Sequence, residues 1–253
     1  MRLPSSLYRW YEARIIAALP RGAIPRHVGV ILDGNRRWAK AAGERTAAGH
    51  QAGADKIAEL LAWSEEVGVE LVTLWMLSTD NLTRPAPEVA ELVNIIEQAV
   101  ADLAATGLWR IQVVGALDLL PDETVTRLHA AEAATAQVDG LHVNVAVGYG
   151  GRKEIADAVR ALLDEQAKAG ATLEELAQVV DVEHIAKHLY TSGQPDPDLV
   201  IRTSGEQRLS GFLMWQSVHS EFYFCEAYWP DFRKVDYLRA LRSFAARERR
   251  LGR

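Results

Sequence analysis

Five short apolar runs recur along this chain, with segments of helical periodicity following between them. The runs are "HVGVIL" (27–32), "VELVTLWML" (69–77), "WRIQVVG" (109–115), "LHVNVAVGYG" (141–150) and "DLVIRTSG" (198–205). Helical spacing marks 52–68, 86–107, 120–136, 152–170 and 235–250. Runs that are apolar on both faces must be covered on both, so the pattern predicts an α/β fold with a mainly parallel sheet between helices. Right-handed crossovers follow. The 253 residues contain no repeat or linker and suffice for one buried core, so a single domain over 1–253 is expected. Ligands of such sheets bind at the carboxyl ends of the strands, which makes the residues after each run the informative text.

After the first run comes Asp33-Gly34-Asn35-Arg36-Arg37-Trp38. Glycine allows close backbone approach, N–H groups at a helix start favour an anion, and two arginines suit phosphate oxygens. An aspartate beside phosphate asks for a divalent cation between them, and magnesium bound by one or two carboxylates plus phosphates answers it. A turn with solvated arginines is the bland alternative. After the second run comes Ser78-Thr79-Asp80-Asn81-Leu82-Thr83-Arg84-Pro85, which suits polar ligand contacts but equally suits a turn with capping. The fifth run delivers Arg202, Thr203, Ser204 and Gly205, then Glu206, Arg208 and Ser210, a second diphosphate cradle in composition. Glu221 stands in the apolar run "VHSEFYF", where a carboxylate needs an ion partner or a metal.

Other readings are narrowed by composition. A net charge of −6 argues against a general nucleic-acid binder, so anion sites must be local. The single cysteine, Cys225, permits no intrachain disulfide, and a reducing cytosol is the default location. No apolar run reaches the length of a membrane span. The opening 1–22 segment reads as an amphipathic helix, with Leu7, Tyr11 (or Trp10), Ile15 and Leu19 at helical spacing, rather than a signal peptide. Such a helix packs on the body or touches a membrane surface as a peripheral contact. His184 and His188 are four apart, as a solvated helix face or a metal pair, and no third ligand is evident. "GYGGRKE" fails the dinucleotide-loop spacing, and no nucleotide-loop, zinc-protease or serine-elbow pattern occurs. Spacing alone therefore reaches two phosphorylated substrates and one divalent ion, a transferase without a named chemistry.

In this order, "HVGVILDGNRRWAK", "LSTDNLTRP", "NVAVGYGGRKEI", "PDPDLVIRTSGEQRLSGFLMWQ" and "SEFYFCEAYWPDF" resemble the cis-prenyltransferases, the undecaprenyl diphosphate synthase family. The resemblance runs from the first strand to the C-terminus. The opening helix and the "DGNRRW" and "LSTDNL" variants are most similar to actinobacterial short-chain members, the (2Z,6E)-farnesyl diphosphate synthases. It implies a six-stranded sheet, a homodimer, and condensation of isopentenyl diphosphate with an allylic diphosphate. By matching position, Asp33 would hold Mg2+, and Gly34, Asn35, Arg36 and Arg37 would cradle the allylic diphosphate beside Trp38. His50, Ser78, Thr79, Asp80, Leu82 and Arg84 would contact substrate, and Asn81 would assist removal of the isopentenyl proton. Arg202, Arg208, Leu209 and Ser210 would bind isopentenyl diphosphate, Glu221 would be the second metal ligand, and Arg250-Leu251-Gly252 would reach the partner subunit.

The chain departs from the family pattern at Leu77, Asp80 and Leu82, where phenylalanine, glutamate and tryptophan are usual. It departs again at Arg36 for glycine, and at Thr46 for an arginine, with Arg45 adjacent. Leu77 and Leu82 alter the allylic pocket. The expectation is a magnesium-dependent enzyme extending geranyl diphosphate to (2Z,6E)-farnesyl diphosphate in the cytoplasm. A longer-chain polyprenyl diphosphate synthase, with a tunnel walled partly by 86–107, is the nearest alternative. A catalytically silent lipid-binding partner subunit and a nucleotide phosphotransferase are more distant ones.

Overall fold

All five apolar runs become strands, and a sixth joins them. In the computed structural model, which describes residues 5–20 and 22–248, the strands are β1 (His27–Ile31), β2 (Leu71–Trp75), β3 (Arg110–Val114), β4 (His142–Ala146), β5 (Leu199–Arg202) and β6 (Glu221–Phe224). Their order is β3-β4-β2-β1-β5-β6, and every pairing is parallel. The helices are α1 (Ser5–Ala18), α2 (Asn35–Ala42), α3 (Thr46–Val67), α4 (Ala86–Ala105), α5 (Asp122–Ala134), α6 (Gly151–Lys168), α7 (Leu173–Val179), α8 (Val182–Ala186) and α9 (Lys234–Glu248).

Alternation of side chains divides the core into two apolar clusters, one on each face of the sheet. Val28, Val30, Leu199 and Ile201 point to one face with Ile57, Leu61, Ile96 and Leu238. Ile31, Val200, Tyr149 and Phe212 occupy the other, where Trp75 stacks on Phe212 at 5.1 Å between ring centroids. The interior strands β1 and β5 are fully buried, as their apolar sequences require. At the sheet edge, β6 is only half-buried along its length. The opening helix packs on the body: Ile15 is buried, and the Tyr8 and Tyr11 rings lie beneath Arg233 and Arg239 of the α9 region. Tyr11 faces inward and Trp10 outward, while the side chain of Leu7 lies outside the described residues.

A chain of buried polar groups crosses the amino end of the sheet. The Pro195 carbonyl accepts from His27 Nδ1 (2.8 Å), so Nε2 accepts from the Thr73 hydroxyl (2.7 Å). Thr73 in turn accepts from Asn144 (3.0 Å), which pairs with Gln194. Burial pulls the His27 pKa down to about 4, against the Pro195 carbonyl and the Asp198 charge. The unfolded imidazole therefore binds a proton between about pH 6.5 and 4 that the native one does not, and stability falls as pH falls through that window. Urea unfolding is expected to give a stability about 2 kcal/mol lower at pH 5 than at pH 7 from this group. A His27→Gln variant losing no part of that difference would refute the assignment.

Candidate active site

The exit of β1 is tied to the exit of β5 before any ligand group is presented. Thr203 Oγ1 accepts from the Asp33 N–H (3.0 Å) and donates to the Asp33 carbonyl (2.6 Å). The next residue, Gly34, turns at φ 111° against Tyr228, where a Cβ would lie 2.9 Å from the ring. That turn starts α2, whose first intrahelical bond runs from Trp38 N–H to the Gly34 carbonyl (2.8 Å). The N–H groups of its first turn thus lack intrahelical partners and are available to an anion. The depth of that turn is set by α3. A Cβ on Gly49 would lie 2.2 Å from the Asn35 backbone oxygen, and one on Gly53 would lie 2.5 Å from Asn35 Oδ1. The Asn35 side chain therefore packs against α3, with its Nδ2 donating to the Leu32 carbonyl (3.3 Å). The Trp229 indole fixes the same junction by donating to the Gly53 carbonyl (2.7 Å).

Asp33 sits between two guanidinium groups. Arg202 Nη2 donates to Oδ2 at 2.8 Å, and Arg37 Nη2 lies 3.3 Å from Oδ1. Burial alone would raise the carboxyl pKa. Arg202, then Ser204 and Arg37, outweigh it and hold the group below the usual carboxylate range. Arg202 is buried, and its Nη1 donates to the Ser210 hydroxyl (2.8 Å) and to the Arg208 carbonyl. Its Nε is buried without a protein partner. Arg37 also reaches the Ser204 hydroxyl (2.6 Å) and Glu206 (3.2 Å), and lies over the Tyr228 ring. Glu206 pairs in turn with Arg208 (2.9 Å). Residues from both predicted cradles thus form one continuous ionic group.

A second group adjoins it. The Ser78 hydroxyl accepts from the Asn81 N–H (3.1 Å), while Thr79 N–H donates to the Tyr149 carbonyl (3.0 Å). Arg84 donates to Asn81 Oδ1 (2.7 Å) and pairs with Glu88 (3.2 Å), which also lies 3.8 Å from Arg36. Burial, then the charges of Arg84 and Arg36, lower the His50 pKa to about 4, so this imidazole is neutral near pH 7. Its Nε2 is buried with no protein partner. Asp33 lies within electrostatic reach of Arg84, which joins the two groups.

The remaining predicted residues divide. Leu77 is buried and Leu82 half-buried against the main core, while Leu209 packs on the second cluster. Trp38 is half-buried on α2, Asp80 is exposed, and Arg45 caps α3 just before Thr46. Glu221 does not join Asp33 within this chain. It opens β6 in register with Leu199 and Val28, at the amino end of the sheet, where Arg247 pairs with it at 2.5 Å. That level is three residues, about 10 Å, short of the level of Ile31, Arg202 and Phe224 at which Asp33 emerges. The expectation of one metal site from Asp33 and Glu221 is corrected for a single subunit, because the register separates them. Arg250-Leu251-Gly252 lies outside the described residues. His184 belongs to the cap of α8 with Asp181, whereas His188 pairs with Glu165 (2.8 Å), so the two imidazoles serve different partners.

One contributor, Tyr149, has no role in the sequence reading, and Ser204 and Glu206, named there with the second cradle, turn out to engage Arg37 of the first. Tyr149 forms a parallel bridge with Ser78 and donates its hydroxyl to the buried Glu154. Its place at the carboxyl end of β4 was the signal available.

Comparison with known proteins is consistent with this geometry. A family described as "Putative undecaprenyl diphosphate synthase" matches residues 31–252. A (2Z,6E)-farnesyl diphosphate synthase of Thermobifida fusca is 62% identical over 253 residues, covering 100% of this chain and 98% of that protein. Isoprenyl transferase 1 of Streptomyces avermitilis is 60% identical over 246 residues, covering 97% and 96% of the two. Among solved structures, lavandulyl diphosphate synthase from Lavandula x intermedia, in complex with dimethylallyl diphosphate, superposes with a TM-score of 0.81 at 33% identity, covering 88% of this chain and 96% of that one. The ionic group at the ends of β1 and β5 thus stands in a prenyltransferase fold, and the chain belongs to the undecaprenyl diphosphate synthase family of prenyltransferases.

Proposed function

We propose that the enzyme condenses isopentenyl diphosphate with geranyl diphosphate to give (2Z,6E)-farnesyl diphosphate. The observation that carries the reading is Asp33, held ionised between Arg202 and Arg37 at the mouth of the α2 cradle. The first cradle, with α2 N–H groups, Arg36 and Arg37, would take the allylic diphosphate. Arg202, Arg208 and Ser210 would take the isopentenyl diphosphate. Two full diphosphates cannot be held side by side without separate cations for each. An apolar wall including Leu77 and Leu82 would receive the hydrocarbon.

The donor set fits Mg2+. One ionised, partly exposed carboxylate beside a phosphate cradle is the ligand pattern that magnesium completes with phosphate oxygens and water. When bound, the ion would neutralise charge growing on the departing allylic diphosphate. The protein's own part is distinct. The α2 N–H groups and Arg37 stabilise that leaving group where its charge develops. Arg202 orients Asp33 and the second substrate together. Arg84 fixes Asn81 Oδ1 so that the side chain can guide loss of the isopentenyl proton. Neutral His50 offers a ring nitrogen to a phosphate without adding a charge.

The names of the relatives, among them a (2Z,6E)-farnesyl diphosphate synthase of Mycobacterium tuberculosis at 54% identity, support the short product. The reading includes a homodimer and a cytoplasmic enzyme. Among the described residues no helix is long and apolar enough to cross a membrane. Purified protein with Mg2+, labelled isopentenyl diphosphate and geranyl diphosphate is expected to yield a fifteen-carbon product and little beyond it. A ladder reaching fifty carbons would replace this assignment with the long-chain one. No incorporation from any allylic primer would favour a silent subunit.

A further inference from the structure

Ser204 occupies a backbone conformation that serine seldom adopts. Its φ is 80°, and Gly205 follows at 75°. Among the described residues, the non-glycine positions with positive φ are Ser204, Ser210 and Leu213, all within the segment that follows β5. Non-glycine residues persist in this region when the surroundings hold them there, and such positions cluster at functional sites. A glycine at 204 would meet the backbone requirement without strain. The side chain that replaces it is buried, 8% exposed, and its oxygen accepts from Arg37 Nη2 at 2.6 Å. That same Arg37 nitrogen lies 3.3 Å from Asp33 Oδ1, so the hydroxyl and the carboxylate hold one guanidinium end between them. The Ser204 N–H is anchored by the Ala227 carbonyl at 2.7 Å, so the hydroxyl is fixed from behind.

Arg37 needs this restraint. It is 42% exposed, long, and drawn towards Glu206 as well as towards Asp33. A flexible guanidinium loses rotamer freedom whenever it is fixed, and a short charge-assisted bond to a rigid oxygen orders it before substrate arrives.

We propose that Ser204 is a positioning residue for the allylic-diphosphate cradle, its hydroxyl locking the Arg37 guanidinium between Asp33 and the start of α2. This rests on the reading of that cradle given above. Among the described residues the Ser204 hydroxyl bonds Arg37 and forms no hydrogen bond with Arg208 or Ser210, so the allylic side is expected to feel its loss first. The role also explains why the chain carries a strained serine where glycine would sit without cost.

Two variants separate the hydroxyl from the backbone. Ser204→Ala removes the hydroxyl and keeps the strained Cβ, whereas Ser204→Gly removes both. Each is expected to raise the KM for geranyl diphosphate by about tenfold to a hundredfold, the usual worth of a hydrogen bond to a charged group, and to leave the KM for isopentenyl diphosphate within twofold. Calorimetric titration with a non-reacting geranyl thiolodiphosphate should show the same loss of affinity, and Ser204→Gly should melt higher than Ser204→Ala. Wild-type allylic KM in either variant would overturn the proposal while leaving the cradle assignment standing. Equal rises in both KM values would overturn it too, since they would report a general disturbance of the loop. Wild-type protein that fails to bind the thiolodiphosphate would overturn the cradle assignment and, with it, the role of Ser204.

Discussion

Asp33→Asn is expected to lower turnover by about a hundredfold to a thousandfold, the usual cost of removing one preorganised group from the point where charge develops. The substitution keeps shape and one oxygen while deleting the charge. Arg202 retains the Ser210 hydroxyl and the Arg208 carbonyl, so the buried guanidinium is not stranded. The folded state should therefore survive, with a loss of stability of roughly 1–2 kcal/mol for weakening a charged pair. Single-turnover rates across a Mg2+ titration provide the measurement. Loss at every metal concentration fits a role in holding the ion and setting the field around the leaving group. Turnover within threefold of wild type in a protein with an unchanged melting curve would remove Asp33 from the mechanism.

The second large effect lies outside the ionic group. Gly49→Ala should destabilise the protein by about 1–3 kcal/mol, or roughly 3–10 °C in melting temperature for a domain of this size. The added methyl would lie 2.2 Å from the Asn35 backbone oxygen and 2.9 Å from the Ala39 Cβ. Neither is the free end of a flexible side chain, so α2 must move away from α3. Moving α2 moves the N–H groups of the cradle, and a displacement near 1 Å can cost about a hundredfold in catalysis. Gly43→Ala supplies the control. Gly43, at φ 74°, has open space around a new Cβ, so that variant bears backbone strain of about 1 kcal/mol without pushing α2. If both variants lost the same activity per degree of melting temperature, the close approach of α2 and α3 would have no special part in the site.

The legible parts of this fold are those whose chemistry is local. β1 and β5 are read correctly because they are apolar on both faces and the residues after them change character abruptly. Eight-residue α2 has too few turns to show a period, and β6 is a four-residue edge strand, half-buried, that opens on a glutamate. α3 starts at Thr46, six residues before its apolar period becomes visible, because its first turns pack through Gly49 and Gly53 rather than through large side chains. The site follows the same division. Asp33, Arg37 and Arg202 can be picked out as phosphate chemistry at strand ends. The separation of Glu221 from Asp33 is a matter of register between strands, and no spacing along the chain reports it. The bridge between Tyr149 and Ser78, or the claim of Glu206 on two arginines, likewise exists only after distant segments meet.

The arginines of the two proposed cradles carry counterions of their own: Asp33, Glu206 and Glu88 engage Arg202, Arg37, Arg208, Arg84 and Arg36. On the reading proposed above, diphosphate capture at this surface would be an ion exchange, in which internal carboxylates give up cations as phosphate oxygens take them. A bare cluster of arginines would hold any passing anion and would strain against its own repulsion. Here an incoming group would have to outcompete a tethered carboxylate, which favours a diphosphate with several oxygens over a singly charged anion. The ion pairs would then work as a valence filter, set by the protein rather than by the salt around it.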